Sequence, residues 1–561
     1  MKEMTARLTQ AAPLTMRLFA ATVCVNVLSF ASPLFVMLIL GQYTNTGFDG
    51  TLVTFAVGMV LAMALQVGLK QVRTAMAAAV SEAPDERLAA GVADVLTRAR
   101  MGALWRVPEA LRRSIPAHLD AVRKAYSATS ITSVLDAPFC LAFIAAAWWL
   151  SPWVGAVALV GTAALLGQGL AATRAQQRTM REAQREDMTL RGMVESAQRG
   201  ADTVRLFGGG VFVQERCARQ GATVRGLNMA VERMRLGGMN AAMTIPVLAR
   251  VAVYAVGAKE VVVGNLTVAG LIAANILVSR AFMVVAQFVG TGMRLARGRQ
   301  ALRDIRELSR VPLEAGSGTA LREFSGRLSL RDVAFAYPGS SAPLFESLTV
   351  SLPPGSVAVV HGPSGAGKTT FARLLTGLVV PTRGDVLADG ITLRQLAPAW
   401  WRAQVVYVPQ EPTFVSGTLR ENITLMRPDM DDEAVAEVVR LCGLTALVAD
   451  LPQRLQTPLT RAGRTLSYGI RRRVALARAV TTQGRLVVMD DPFEGLDEDG
   501  VHVVSAVLRD CARQGRTIIV CADAPDVLTD AHVRLDLGRK PEPEIVWAAS
   551  PGRQRTKEQS A

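Results

Sequence analysis

A chain of 561 residues with a net charge of +15 exceeds the ~250–300 residues at which one core stops growing, so two or more domains are expected. Half of its residues are hydrophobic, and they gather in long runs before about residue 290, which excludes a protein that is soluble throughout. The basic residues flank those runs, an arrangement that suits an anionic bilayer surface and not nucleic acid, so no nucleic-acid partner is expected. Cys24, Cys140, Cys217, Cys442, Cys511 and Cys521 form no C-x-x-C pair and no metal spacing. They read as buried, reduced thiols.

Residues 1–17 are expected to stay in the cytoplasm: the first apolar run outlasts the ~7–15 residues of a signal-peptide core and lacks a small-residue cleavage pattern. Runs at 18–40 and 52–69 suit the ~20 residues that cross a bilayer, and the connector 41–51 carries no Lys or Arg, so it is expected outside. From Lys70 to Ser133 the chain is charged, with Arg73, Arg87, Arg98, Arg112 and Arg123 among its basic residues, and the positive-inside rule assigns it to the cytoplasm. A second pair of runs, 134–150 and 153–171, turns at Ser151 and Pro152, and the Arg-rich stretch 172–239 returns to the cytoplasmic side. A third pair, 241–263 and 266–290, turns at Gly264 and Asn265 and ends at Arg294 and Arg297. The result is a six-span transmembrane domain over 18–298. Arg250, Asn275, Arg280 and Gln287 lie inside the last two spans, where contact with lipid is costly, so they either join helices or line a pathway.

A linker over 299–325 leads to an α/β domain over 326–545, with a tail over 546–561 that is expected to be disordered. Residues 328–335 alternate like an antiparallel strand, and Tyr337 before Pro338 offers a ring that can stack on adenine. The apolar run 357–360 then delivers Gly362, Pro363, Ser364, Gly365, Ala366, Gly367, Lys368, Thr369 and Thr370. This is a phosphate-binding loop: the glycines let backbone N–H groups wrap a polyphosphate, Lys368 meets its terminal phosphates, and Thr369 offers a hydroxyl to Mg²⁺. A helix begins there and turns its positive end toward the nucleotide. Further on, the strand 405–408 leads to Gln410, whose amide reaches the Mg²⁺ or the attacking water, and 485–490 ends in Asp490, a second Mg²⁺ contact opposite Thr369. Asp491 follows, and between these strands Leu466, Ser467, Tyr468, Gly469 and Ile470 precede a basic helix.

The order of phosphate loop, Gln410, Leu466-Ser467, Asp490 and Leu496-Asp497 resembles the nucleotide-binding domain of an ATP-binding cassette (ABC) transporter. Six spans ahead of one such domain resemble a half-transporter of the exporter type. The fold implied is multi-domain: an N-terminal six-helix α-helical transmembrane domain of the exporter type I class, then an α/β P-loop ATPase domain. Within the family, 135–139 through 151–153 and 274–281 are similar to the permease-ATPases of bacterial type I protein secretion. With the first span starting within the first twenty residues, no cysteine-peptidase domain of the kind found on bacteriocin exporters is expected ahead of it. The resemblance implies ATP and Mg²⁺ as cofactors, and a multi-pass place in the bacterial inner membrane with the nucleotide-binding domain in the cytoplasm. It also implies dimerisation, because Leu466, Ser467 and Gly469 would face the ATP held by a second half-transporter. A periplasmic adaptor, an outer-membrane channel and an exported polypeptide would be further partners.

The departures from the family bear on catalysis. Asp491 stands where a glutamate usually polarises water, one methylene shorter and still able to act as a base. Asp523 stands where a switch histidine is expected, and an ionised carboxylate there repels the γ-phosphate. The signature segment keeps Ser467 and Gly469 but has Tyr468 and Ile470 in place of a glycine and a glutamine, and Arg461 replaces an acidic residue upstream. The reading that follows is a weakly hydrolysing exporter half beside a more complete partner. A regulatory ATP-binding subunit, or an exporter half for a lipid or drug, is the rival.

Overall fold

The computed structural model describes residues 2–44, 47–340, 342–459, 463, 465–523 and 531–548. They form two compact units, one of Met1–Thr97 with Val107–Arg310 and one of Arg98–Arg106 with Val311–Ala561. The sequence ran the membrane domain unbroken over 18–298, whereas Arg98–Arg106 packs with the second unit. Its backbone explains why: Arg100 N–H donates to the Pro312 carbonyl at 3.0 Å, and Glu314 N–H donates to that of Arg98 at 2.8 Å.

Among the described residues, six helices of the first unit are long and apolar enough to cross a membrane: α1 (Ala12–Tyr43), α2 (Asp49–Arg98), α3 (Leu111–Leu150), α4 (Pro152–Arg199), α5 (Gly210–Val262) and α6 (Val268–Leu308). Several run far beyond the ~20 residues a bilayer requires, so the Arg-rich stretches of α4 and α5 continue the same helices and pack along each other. The apolar core joins α3 to α6 through Phe143, Leu165, Val253, Leu277 and Phe282.

Arg73, read from the sequence as one of the cytoplasmic basic residues, is buried. Its Nη1 donates to Asp136 Oδ1 at 2.7 Å, and Asn26 Nδ2 donates to the same oxygen at 2.8 Å. Burying a cation requires such a partner, and Asp136 supplies it across three helices. Asn275 does join helices, its Nδ2 donating to Tyr254 OH at 3.0 Å. Arg280 is half-buried, while Arg250 and Gln287 are exposed on the single chain. Cys140, Cys442, Cys511 and Cys521 are buried, but Cys24 is exposed and Cys217 half-exposed, because α1 and α5 turn those faces away from the core.

In the second unit, β1 (Leu328–Phe335) lies between β2 (Phe345–Leu352) and β4 (Arg383–Ala388) in an antiparallel sheet that β5 (Ile391–Thr392) completes. A six-stranded sheet runs β10-β9-β3-β8-β7-β6. Its members are β3 (Val357–His361), β6 (Val405–Val408), β7 (Leu486–Asp490), β8 (Thr517–Cys521), β9 (Val533–Asp536) and β10 (Glu544–Trp547). All its pairs are parallel except β9 with β10. Strands covered on both faces read as continuous apolar runs, and β7 and β8 are buried at every residue. Leu486 and Val488 enter one core and Val487 and Met489 the other, the period of two that a strand imposes. The disorder expected from 546 does not hold for Val546 and Trp547, which pair with Arg534 and Val533; residues 549–561 lie outside the described ones.

Candidate functional site

The site forms beyond the carboxyl ends of the parallel strands. β3 ends at His361, and the chain turns through 362–367 into α7 (Lys368–Leu375). Gly362 has φ +148° and Gly367 +110°, and a Cβ on Gly367 would fall 2.6 Å from Leu344 Cδ2. Only glycine fits that turn. Pro363, Ser364 and Gly365 are exposed along it while Ala366 is buried, and Lys540 Nζ steadies it by donating to the Ala366 carbonyl at 2.8 Å and to that of Leu344. The first amides of α7 carry its positive dipole end into this concavity.

Lys368 is 6% exposed. Its Nζ donates to the Gly362 carbonyl at 2.9 Å and to Asp523 Oδ1 at 2.5 Å. Thr369 donates its hydroxyl to Gln410 Oε1 at 3.3 Å, and the hydroxyls of Thr370 and Tyr337 lie 2.5 Å apart. The Tyr337 ring is flanked by Trp105 at 5.4 Å and Phe335 at 5.1 Å between centroids, so part of its surface is already taken by aromatic partners.

Asp490 closes β7 and is fully buried, yet among the described residues neither carboxylate oxygen has a hydrogen-bond partner. Burial pushes its carboxyl up, and the Thr369 hydroxyl faces it outside hydrogen-bonding geometry. An orphaned buried carboxylate beside a free-edged hydroxyl fits a hard cation. Asp491 takes a left-handed backbone, φ +44°, held by its N–H donating to the Cys521 carbonyl at 2.8 Å. Its carboxyl is pushed up to about 6, chiefly by burial, with Lys368 opposing and Asp490, Asp523 and Glu494 adding to the rise.

Ser467 caps α8 (Tyr468–Val480), its Oγ accepting from Ile470 N–H at 3.3 Å. Ser467 is exposed, Leu466 and Gly469 half-buried, and Arg461 lies outside the described residues. Asp497 caps the next helix, accepting from Gly500 N–H at 2.9 Å.

The sequence reading missed the hub of this site. Arg472 is 3% exposed and donates to the carbonyls of Asp491 and Gln410, to Tyr468 OH at 2.6 Å and to Glu494 Oε2 at 3.1 Å. Gln410 Nε2 reaches the same Glu494 oxygen at 3.2 Å. Tyr468, counted only as a lost glycine, lays its ring within 2.8 Å of where a Cβ on Gly495 would stand. The available signal was the i, i+4 spacing of Tyr468 and Arg472 on one helix face.

Residues 345–494 match the protein family described as ABC transporter. The chain is 28% identical over 500 residues to a cyclolysin secretion/processing ATP-binding protein of Bordetella pertussis, covering 88% of this chain and 70% of that one. It is 25% identical over 517 residues to a type I secretion system ATP-binding protein of Rhizobium meliloti, covering 92% and 88%. A bacterial Atm1-family ABC exporter solved with ATP bound has the same fold, with a TM-score of 0.78, 20% identity and 95% of each chain covered. Within the second unit, residues 345–494 therefore form a domain of the ABC transporter type, the chain as a whole shares the fold of that solved exporter, and its relatives include type I secretion ATP-binding proteins.

Proposed function

We propose that this chain is one half of an ATP-driven exporter in a bacterial inner membrane, moving a polypeptide by type I secretion. The observation that carries the reading is a phosphate cradle, complete from Gly362 to Thr369, that opens onto Gln410 and the partnerless carboxylate of Asp490. In this reading Gly362, Pro363, Ser364, Gly365, Ala366 and Gly367 present backbone amides to the phosphates and Lys368 supplies the cation. Thr370 fixes Tyr337 beside the adenine. Thr369, Gln410 and Asp490 would hold Mg²⁺, which would supply positive charge against the terminal phosphates. Asp491 is the base, and Leu466, Ser467 and Gly469 serve the nucleotide of a second half-transporter. That partner is a different, more complete chain, because Asp491 and Asp523 weaken hydrolysis at the site built on Lys368. A periplasmic adaptor and an outer-membrane channel complete the route.

The same two departures favour one rival, a regulatory subunit that uses ATP to close a dimer whose partner does the hydrolysis. Turnover of the reconstituted pair separates them. In an exporter half, Asp491→Asn lowers coupled transport, and in a regulatory subunit it changes nothing.

Lys368→Ala tests the nucleotide site itself. Loss of a charge-assisted contact of ~1.5–3 kcal/mol is expected to weaken nucleotide binding by about tenfold or more, measured by calorimetry on the full chain. Equal affinity in the two proteins would remove the phosphate-loop assignment. A reporter fused after Asn45, itself outside the described residues, or after Asn265 is expected to face the periplasm, and one after Arg113, Arg205 or Lys540 the cytoplasm. A periplasmic signal at Arg205 would sink the six-span topology.

A further inference from the structure

Lys368 is the only cation with a hydrogen bond inside the phosphate loop's turn among the described residues apart from Lys540, and the two differ in what they bind. Lys540 donates to backbone carbonyls. Lys368 holds an anion that the chain itself provides, the Asp523 carboxylate at 2.5 Å. Asp523 follows β8 by two residues and its side chain is 77% exposed, while that of Lys368 is 7% exposed, so the carboxylate reaches in from the solvent side to a buried ammonium.

The surroundings of this pair are acidic. Asp490, Asp523 and Glu494 each act electrostatically on Asp491, with Lys368 the cation that offsets them there. Glu494 is balanced separately by Arg472 at 3.1 Å. A terminal phosphate arriving here meets a lysine whose charge is already shared and carboxylates of its own sign. A nucleotide that ends at its β-phosphate still meets the loop amides, the helix end and Lys368, but brings no γ-phosphate against Asp523.

We propose that Asp523 makes this loop selective for the nucleoside diphosphate: its carboxylate stands on Lys368 where the terminal phosphate of ATP would bind, so ADP is retained better than ATP is admitted. The inference rests on the reading that the loop 362–369 binds adenine nucleotide, and deepens it. The ion pair is not itself a strong lock, because an exposed carboxylate is screened and such pairs contribute little. The selectivity comes from like-charge repulsion, since ATP sets its γ-phosphate against Asp523 and ADP carries no such group. In a two-site assembly this site would rest with diphosphate bound while the other turns over.

Calorimetry of the full chain in detergent with Mg²⁺, using ADP and a non-hydrolysable ATP analogue, tests the idea on the parent and on Asp523→Asn and Asp523→Ala. The parent is expected to bind ADP about tenfold more tightly than the ATP analogue. Both variants are expected to gain about tenfold for the ATP analogue while ADP changes less than about threefold, reversing or cancelling the preference. A parent that prefers the ATP analogue overturns the inference and leaves the nucleotide site standing, as do variants that move both nucleotides equally. A parent that binds neither nucleotide overturns the inference together with the reading beneath it.

Discussion

Replacing Asp491 with Glu and Asp523 with His together is expected to raise ATP turnover of the purified chain by about a hundredfold, from well below the ordinary ~1–10² per second of enzymes toward that range. Two properties of Asp491 could limit it, its protonation and its reach. Burial pushes its carboxyl up to about 6, still below neutral pH, so protonation is the minor loss. Reach is the larger one. The left-handed backbone at Asp491 and the bonds from its N–H to Cys521 and from Arg472 to its carbonyl fix where the side chain starts, and the side chain cannot creep forward to replace a missing methylene. A misplacement of ~1 Å is worth on the order of a hundredfold. Asp523 adds a second fault, because it removes a donor and adds a charge at the same phosphate. The glutamate restores reach and the histidine restores a donor. Steady-state phosphate release by the parent, each single variant and the double variant decides the matter. Turnover of the unpartnered parent already in the ordinary range, or no gain in the double variant, would show that these positions are not what limits hydrolysis.

The elements of this site were legible because each is a short-range consequence of sequence. The glycines of the loop, the helix after Thr369, the apolar runs of β7 and β8 and the serine cap at Ser467 all follow from local conformational preference and periodicity. The six spans follow from composition alone. What stayed illegible depends on which residues meet across the fold. Arg73 looks like any cytoplasmic arginine until Asp136 and Asn26 are brought to it from other helices. Arg98–Arg106 looks continuous with the membrane domain until its backbone pairs with 312–314. Tyr468 and Arg472 look like a degenerate signature and a basic run until their partners on the Gln410 and Asp491 loops appear. Asp523 was read as a carboxylate facing a phosphate, and its partner Lys368 emerged only with the strand order that sets β8 beside β3.

Arg472→Ala is expected to lower the stability of the second unit by about 3 kcal/mol and its unfolding temperature by roughly 6–12 °C. The largest loss comes from the acceptors left behind. The carbonyls of Asp491 and Gln410 and the hydroxyl of Tyr468 receive donors from this one guanidinium, and a buried polar group without its partner costs ~1–3 kcal/mol. The guanidinium also lies over the Tyr468 ring, 4.8 Å from its centroid, which adds ~0.5–1 kcal/mol of cation–π attraction. The ion pair with Glu494 contributes much less, because that carboxylate is 56% exposed and exposed pairs are worth about 0–1 kcal/mol. Glu494→Ala is therefore expected to shift the transition by only a few degrees, which separates the hub from the pair. Arg472→Lys should fall between, since an ammonium lacks the planar fork that serves several acceptors at once. Scanning calorimetry of the full chain, following the transition that nucleotide raises, provides the measurement. If Arg472→Ala unfolded within about a degree of the parent, or if Glu494→Ala cost as much as Arg472→Ala, the guanidinium would not be what ties the loops of Gln410 and Asp491 to α8.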